Sequence, residues 1–368
     1  MKLAKKGQES HMFQWIFVLV AGAILLGFLI NFGLKQSKQA ESGSSTEVSK
    51  ALETILRSVE RSSDTFKRIT IPPTALRFSC DDTGSNYRVQ GSSVTSSLQY
   101  NLVFSPTFLS GNEILTWTRD WNVPFKIASF LYLTNKRTQY VFIMDAANQT
   151  SFLLNDFPKN FTYTVIDPSN PGSLKLSEFK YNNYAQYQFI YINQDPSANL
   201  PPLPTLKDNV SIISIQPPPP PAPPTTPDQS ESLYFYTYTP SGLSPEKESF
   251  YLRRETLYAA LFSQDINTYL CNMKKAKERF NILIDLALLW VGDVSTEIGS
   301  GTCHDLLDNP SGTPGILQHL TTIKKELQAI QFTIGSSDTP HAQTILTEAQ
   351  GIELLNDDLA RASCPQLY

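Results

Sequence analysis

TQYVFIMDAANQTSFLLNDFPKNFTYTVID, residues 138–167, carries two β-rich runs, TQYVFIMD and FTYTVID, joined by AANQTSFLLNDFPKN. Tyr, Phe, Val, Ile and Thr suit a pleated, half-buried surface. Both runs are apolar on both faces, as central parallel strands are. The connection is too long for a tight hairpin and long enough for two helical turns and a return, so the pair reads as a parallel βα unit. YQFIYIN (187–193) and VSIISIQ (210–216) repeat the pattern. The expected fold class is α/β, a Rossmann-like layered domain. A β-sandwich is the alternative, because the connections are not strongly patterned as helices.

In a parallel sheet of this kind ligands gather at the carboxyl ends of the strands, which points to Asp145, Asp167 and Asn193. Two aspartates there would suit general acid–base work or a metal ion. Asp and Asn are also ordinary turn residues after a strand, and no histidine lies nearby to complete a site. Nowhere does the chain carry a P-loop, a dinucleotide fingerprint, a nucleophile elbow or a zinc-protease motif. The expectation is that the protein is not an enzyme and uses no cofactor.

Upstream, RFSC (77–80) and YNLVFSP (100–106) read as strands, and TWTRDWNVPFKIASFLYLTN (116–135) is ambiguous between strand and helix. Before them Val48, Leu52, Ile55, Val59, Ser62, Phe66 and Ile69 step by four and three, the seam of an amphipathic helix ended by Pro72-Pro73. That helix either pairs in a parallel coiled coil or lies against its own domain.

At the N-terminus, Met12 to Leu34 holds no charged residue. At about 1.5 Å per residue it covers roughly the 30 Å hydrocarbon core, longer than a secretory signal's apolar region. It is expected to be a transmembrane helix with the lipid bilayer as its partner. Lysines flank both sides (Lys2, Lys5 and Lys6 before, Lys35, Lys38 and Lys50 after) and do not orient it. Orientation comes from what lies downstream: sequons at Asn148, Asn160 and Asn209, and all four cysteines, Cys80, Cys271, Cys303 and Cys364. Widely spaced cysteines in an exported region read as two disulfides. The expected localisation is a single-pass cell-membrane protein, N-terminus inside and later domains outside.

Twelve of the 25 prolines lie between Pro196 and Pro227, a stiff, exposed polyproline-type segment. LYFYTYT (233–239) resumes strand character, so the segment reads as an excursion from the sheet. From about Ser244 the chain turns helical: a long stretch to about Trp290, a helix in TPGILQHLTTIKKELQAIQFTIG ended by Gly335, and a last one in HAQTILTEAQGIELLNDDLARAS. An up-and-down bundle returns Cys364 to the end where Cys303 lies, while Cys271 sits about 20 residues, roughly 30 Å, away. Of three possible connectivities this favours Cys303–Cys364 with Cys80–Cys271.

The division expected is 1–11 cytoplasmic, 12–34 transmembrane, 35–70 connector and amphipathic helix, 71–243 α/β ectodomain with the Pro-rich loop 196–227, and 244–368 helical domain. A net charge of −4 argues against nucleic acid as a partner, since phosphate contacts need a basic surface.

KGQESHMFQWIFVLVAGAILLGF (6–28), RFSCDD (77–82), LTWTRDWNVPFKIASFLYLTN (115–135) and CNMKKAKERF (271–280) together resemble a family of single-span membrane proteins from small-genome archaea. The resemblance implies an archaeal cell-surface protein and brings no activity or functional residues. KKGQES is also similar to the start of archaeal type IV pilin-like signal anchors, with Gly7-Gln8 at the processing point. The glutamate such helices carry is missing; His11 and Gln14 occupy that neighbourhood. The leading expectation is a membrane-anchored extracytoplasmic structural or interaction protein, with a surface protein partner or a homo-oligomer. A pilin-like subunit and a surface hydrolase using Asp145 and Asp167 are the alternatives.

Overall fold

The structure is a computed structural model. It describes residues 49–368 apart from six positions within 51–61 and residues 82–83, 93–94, 99–101, 145–150, 168–174, 181–183, 197–209, 217–231, 240–241, 310–311 and 336–337. The expected transmembrane helix at 12–34 lies outside the described residues, among which no helix is long and apolar enough to cross a membrane.

Two six-stranded sheets follow a first helix, α1, whose described residues fall between 49 and 58. The first sheet is ordered β3 (Thr95–Leu98), β2 (Gly84–Val89), β1 (Phe66–Asp81), β5 (Phe108–Asn122), β6 (Lys126–Thr134), β4 (Leu102–Phe104). All its pairings are antiparallel except β4 with β6. The ambiguous aromatic stretch is the β5–β6 hairpin, whose burial on both faces erases the alternation that marks a half-exposed strand.

The helical seam expected to run to Ile69 ends earlier. Phe66 to Thr70 already belong to β1, and Pro72-Pro73 lies inside that strand, where the register to β5 shifts between Thr70 and Thr74. A proline without a ladder N–H is tolerated at such an irregularity. Buried Ile69 and Ile71 flank exposed Thr70, the period of two that Ile69-Thr70-Ile71 carries. Leu52 and Leu56 of α1 pack on Leu76, Tyr87, Leu98 and Leu133 of the sheet, so the helix lies against its own domain.

The second sheet is ordered β12 (Gly242–Phe250), β11 (Ser232–Thr239), β10 (Val210–Gln216), β9 (Gln186–Ile192), β7 (Thr138–Ile143), β8 (Tyr163–Ile166). The four runs read from sequence are its parallel core, β8-β7-β9-β10. From β7 the chain steps outward to β8 and then back past β7 to β9, reversing direction across the sheet. The two crossovers therefore cover opposite faces: Leu153 and Phe157, in and just after α2 (Ser151–Asp156), join one core, while Leu176 and Phe179 around a 3-10 turn (Leu176–Glu178) join the other. The Pro-rich connection joins β10 to its antiparallel neighbour β11, with Gln216 opposite Ser232, so the sheet is continuous across it. β12 reaches Phe250, which corrects the expected start of the helical region at Ser244.

Between the sheets runs α3 (Arg253–Phe262), buried at every residue from Glu255 to Phe262. Phe262 meets Trp117 and Tyr132 of the first sheet and Tyr140 of the second. The tyrosine hydroxyls here find acceptors: Tyr132 Oη donates to Glu255 O, Tyr140 Oη to Thr134 Oγ1 and, from α3 itself, Tyr258 Oη to Leu153 O. After Ser263 the chain restarts as α4 (Ile266–Ile298), N-capped by Asp265, whose carboxylate accepts from the Thr268 N–H. Then come α5 (Thr302–Leu307), α6 (Ile316–Ala329) and α7 (Thr339–Arg361). α6 ends six residues before Gly335, the stop expected from sequence. Ile284, Ala287 and Val291 of α4 share one core with Leu320 and Ile323 of α6 and Ile345 and Ile352 of α7.

Candidate ligand pocket and the disulfide frame

Both disulfides close as helix geometry favoured. Cys80, at the end of β1, bonds Cys271 on the first turns of α4, and Cys303 of α5 bonds Cys364 after α7. All four cysteines are thereby used. Around the first bond, fully buried Asn272 donates to Val103 O and accepts from Ser85 Oγ, fastening α4 to β4 and β2. Lys275 Nζ lies 3.0 Å from Cys80 Sγ, and burial lowers its pKa to about 8.

At the carboxyl ends of β7, β9 and β10 the described residues bond one another. Asn193 takes a left-handed φ of 53° and donates its N–H to Ile215 O, a conformation asparagine accepts readily. Gln194 Nε2 donates to Met144 O, and Ser214 Oγ to Gln194 O. Asp167 follows the last residue of β8, and Asp145 lies outside the described residues. The expected pairing of the two aspartates therefore lies outside the described residues; among the described residues no group of three His, Cys, Asp or Glu side chains is placed to hold a metal. Of the sequons, Asn160 is exposed in the turn after α2; Asn148 and Asn209 lie outside the described residues.

A second charged cluster sits at the start of α3. Arg119 Nε lies 3.8 Å from Glu255 and 3.4 Å from Asp64, with Nη1 3.4 Å from Asp156, and its guanidinium stacks over Trp117 and Tyr258. Arg254 joins Asp156. Burial raises the pKa of Glu255, while Arg119, Arg253 and Arg254 pull it back down. Every member has a partner of opposite charge, so the cluster fixes α3 against β5 and α2.

A concavity lies elsewhere, on the outer face of the second sheet near the amino ends of its strands. It has a volume of about 590 Å³ and is lined by Gln139, Thr164, Glu178, Phe179, Lys180, Tyr184 and Tyr187. Strand register builds it: Gln139 of β7 lies beside Tyr187 of β9, and Thr164 follows on β8. The 3-10 turn supplies Phe179, whose ring packs edge-on to Tyr187. Tyr184 packs edge-on to Tyr187 as well.

Gln139 is 5% exposed and its Nε2 donates to Thr164 Oγ1 at 2.7 Å, yet its Oε1 has no hydrogen-bond partner among the described residues. Turning the amide over would reverse the bond to the threonine hydroxyl and leave Nε2 unpaired instead. Either way one end of a buried carboxamide is unsatisfied, at a cost of about 1–3 kcal/mol. Sequence reasoning missed this site because it looked to the carboxyl ends of the strands. A glutamine inside the apolar run Thr138–Ile143 was the available signal. Comparison with protein-family models, curated proteins and solved structures returns no match.

Proposed function

We propose that this chain is a membrane-tethered extracytoplasmic interaction protein that binds a small neutral ligand on the outer face of its second sheet. The observation that carries the reading is the unsatisfied Gln139 amide at the wall of a 590 Å³ aromatic pocket. Pockets with an apolar lining and a few convergent polar groups are the usual form of small-molecule sites. Phe179, Tyr184 and Tyr187 offer ring faces and edges to C–H groups, and Gln139 and Thr164 offer donors and acceptors. Glu178 and Lys180, both exposed at the mouth, balance each other in charge. This chemistry suits an uncharged hydroxylated ring such as a sugar unit. Export is supported by the pairing of all four cysteines, since such bonds persist in oxidising compartments.

Saturation-transfer NMR of the full-length protein in nanodiscs, against a panel of neutral saccharides, tests the reading. Signal lost in both Gln139→Leu and Tyr184→Ala supports it; saccharides that give no signal, or an unchanged signal in both variants, overturn it. Labelling intact cells with an impermeant maleimide after mild reduction tests the location separately. Cysteines that label only after lysis would place the domains inside.

A further inference from the structure

α4 presents two apolar faces. Ile284, Ala287 and Val291 point into the helical core, while Ile282, Leu286 and Leu289 are 61%, 56% and 66% exposed. These three recur at i, i+4 and i+7, so they form one stripe down the outward side. The inward face already anchors the helix, and a solvated helix of this length normally carries polar residues opposite.

Charge is segregated along the same helix. Its first half holds Lys274, Lys275, Lys277 and Arg279 with one acid, Glu278; its second holds Asp285, Asp293 and Glu297 and no basic residue. That order opposes what an isolated helix favours, since acids stabilise the positive N-terminal end and bases the negative C-terminal end. A neighbouring helix running the other way reverses the sign of the effect. Its basic half lies along the acidic half of the first, and the two dipoles oppose. A parallel neighbour would set acid against acid.

We propose that α4 is the contact of a twofold dimer, in which two copies of this chain pair their α4 helices antiparallel about Leu286. In that register Leu286 meets its own counterpart, Leu289 meets the half-buried Leu283, and Arg279 faces Asp293. The acids Asp285 and Asp293 beside the stripe disfavour an anionic membrane surface as the occupant. The contact is a single helix pair, smaller than a standard interface, so it forms most readily where anchoring concentrates the chains.

The test is oxidative cross-linking of the full chain in detergent micelles, with mass measured by light scattering. Leu286→Cys is expected to form a disulfide-linked dimer. Thr296→Cys, about 15 Å along the helix from the axis and so roughly 30 Å from its counterpart, is not. Leu286→Asp is expected to weaken dimerisation at least about tenfold. Arg279→Glu should weaken it too, and Arg279→Glu combined with Asp293→Arg should restore it. Equal cross-linking at both cysteines would mean a parallel pair and overturn the proposal. So would a monomeric mass at every concentration, or a charge swap that rescues nothing. The charge-swap masses need no added cysteine, so the test stands even if a new thiol disturbs the native bonds.

Discussion

α3 and α4 are separated by three residues and live in opposite surroundings. α3 is ten residues long, enclosed between two sheets, and its sequence shows no apolar stripe because every direction around it is interior. α4 is 33 residues long, starts against the first sheet and ends among the other helices, and has a core side and a solvent side. The difference teaches how burial is read. Periodicity reports an environment that changes around the helix, and it vanishes where the environment is uniform, however important the helix is.

Substitutions in the two helices should therefore differ most where their surroundings do. Phe262→Ala removes a ring fully enclosed among Trp117, Tyr132, Tyr140, Phe157 and Phe161. A loss of about 3–5 kcal/mol in chemical denaturation is expected. Leu289→Ala, measured on the dissociated protein, should change stability by less than about 0.5 kcal/mol. Comparable losses at the two sites would break the contrast.

The charged collar of α3 comes next. Arg119→Met leaves Glu255 buried without its nearest cation and should cost about 2–4 kcal/mol. Because burial raises the Glu255 pKa and Arg119 lowers it, removing Arg119 raises that pKa further. The variant's deficit should be smallest at acidic pH, where Glu255 is protonated, and grow as pH rises through the Glu255 titration. A deficit independent of pH would mean that Arg119 acts through packing alone.

On α4 burial lowers the pKa of both Lys275 and Lys277, further for Lys275. Its folded pKa, lowered to about 8 by burial, lies below the unfolded lysine value of about 10.4. The folded chain binds fewer protons in that interval, so Lys275 costs stability at pH 7 and the cost is relieved as pH rises from about 8 towards 10.4. Lys275→Met should raise the melting temperature more at pH 7 than at pH 9.5. An equal shift at both would show that its charge is not the cause.

The last contrast is between two glycines inside helices. At Gly292 of α4 an added methyl meets nothing within 4 Å, so Gly292→Ala should stabilise by up to about 1 kcal/mol. At Gly351 of α7 it would meet the His319 ring at 2.6 Å, so Gly351→Ala should destabilise by about 1–3 kcal/mol despite better helix propensity. Thermal unfolding of the two variants side by side distinguishes propensity from packing.

Several features were legible in the sequence because they rest on local physics. The four parallel runs carry their own β-rich composition and spacing. The long helix α4 carries its inward period, and the cysteine pairing follows from helix lengths and directions. The seam from Val48 to Ile69 misled because its closing step of three, Phe66 to Ile69, stays on one face of a helix but crosses to the opposite face of a strand. Both faces of β1 are covered, Phe66 packing on one core and Ile69 lying in the other, and pairing with β5 made the segment a strand. The early strands were seen, but their assembly into a separate antiparallel sheet was not, since partner choice depends on residues far along the chain.

The sequence by itself determined the composition of the strands, the rise of the helices, the thiols available and the charge order of α4, all of which are properties of neighbours along the chain. Only the tertiary structure decided that α3 is the centre of the molecule and that Gln139 lines a pocket with half of its amide unsatisfied. It also decided that Ile282, Leu286 and Leu289 face solvent. Burial and hydrogen-bond satisfaction are sums over atoms brought together from distant segments, and no local window contains them.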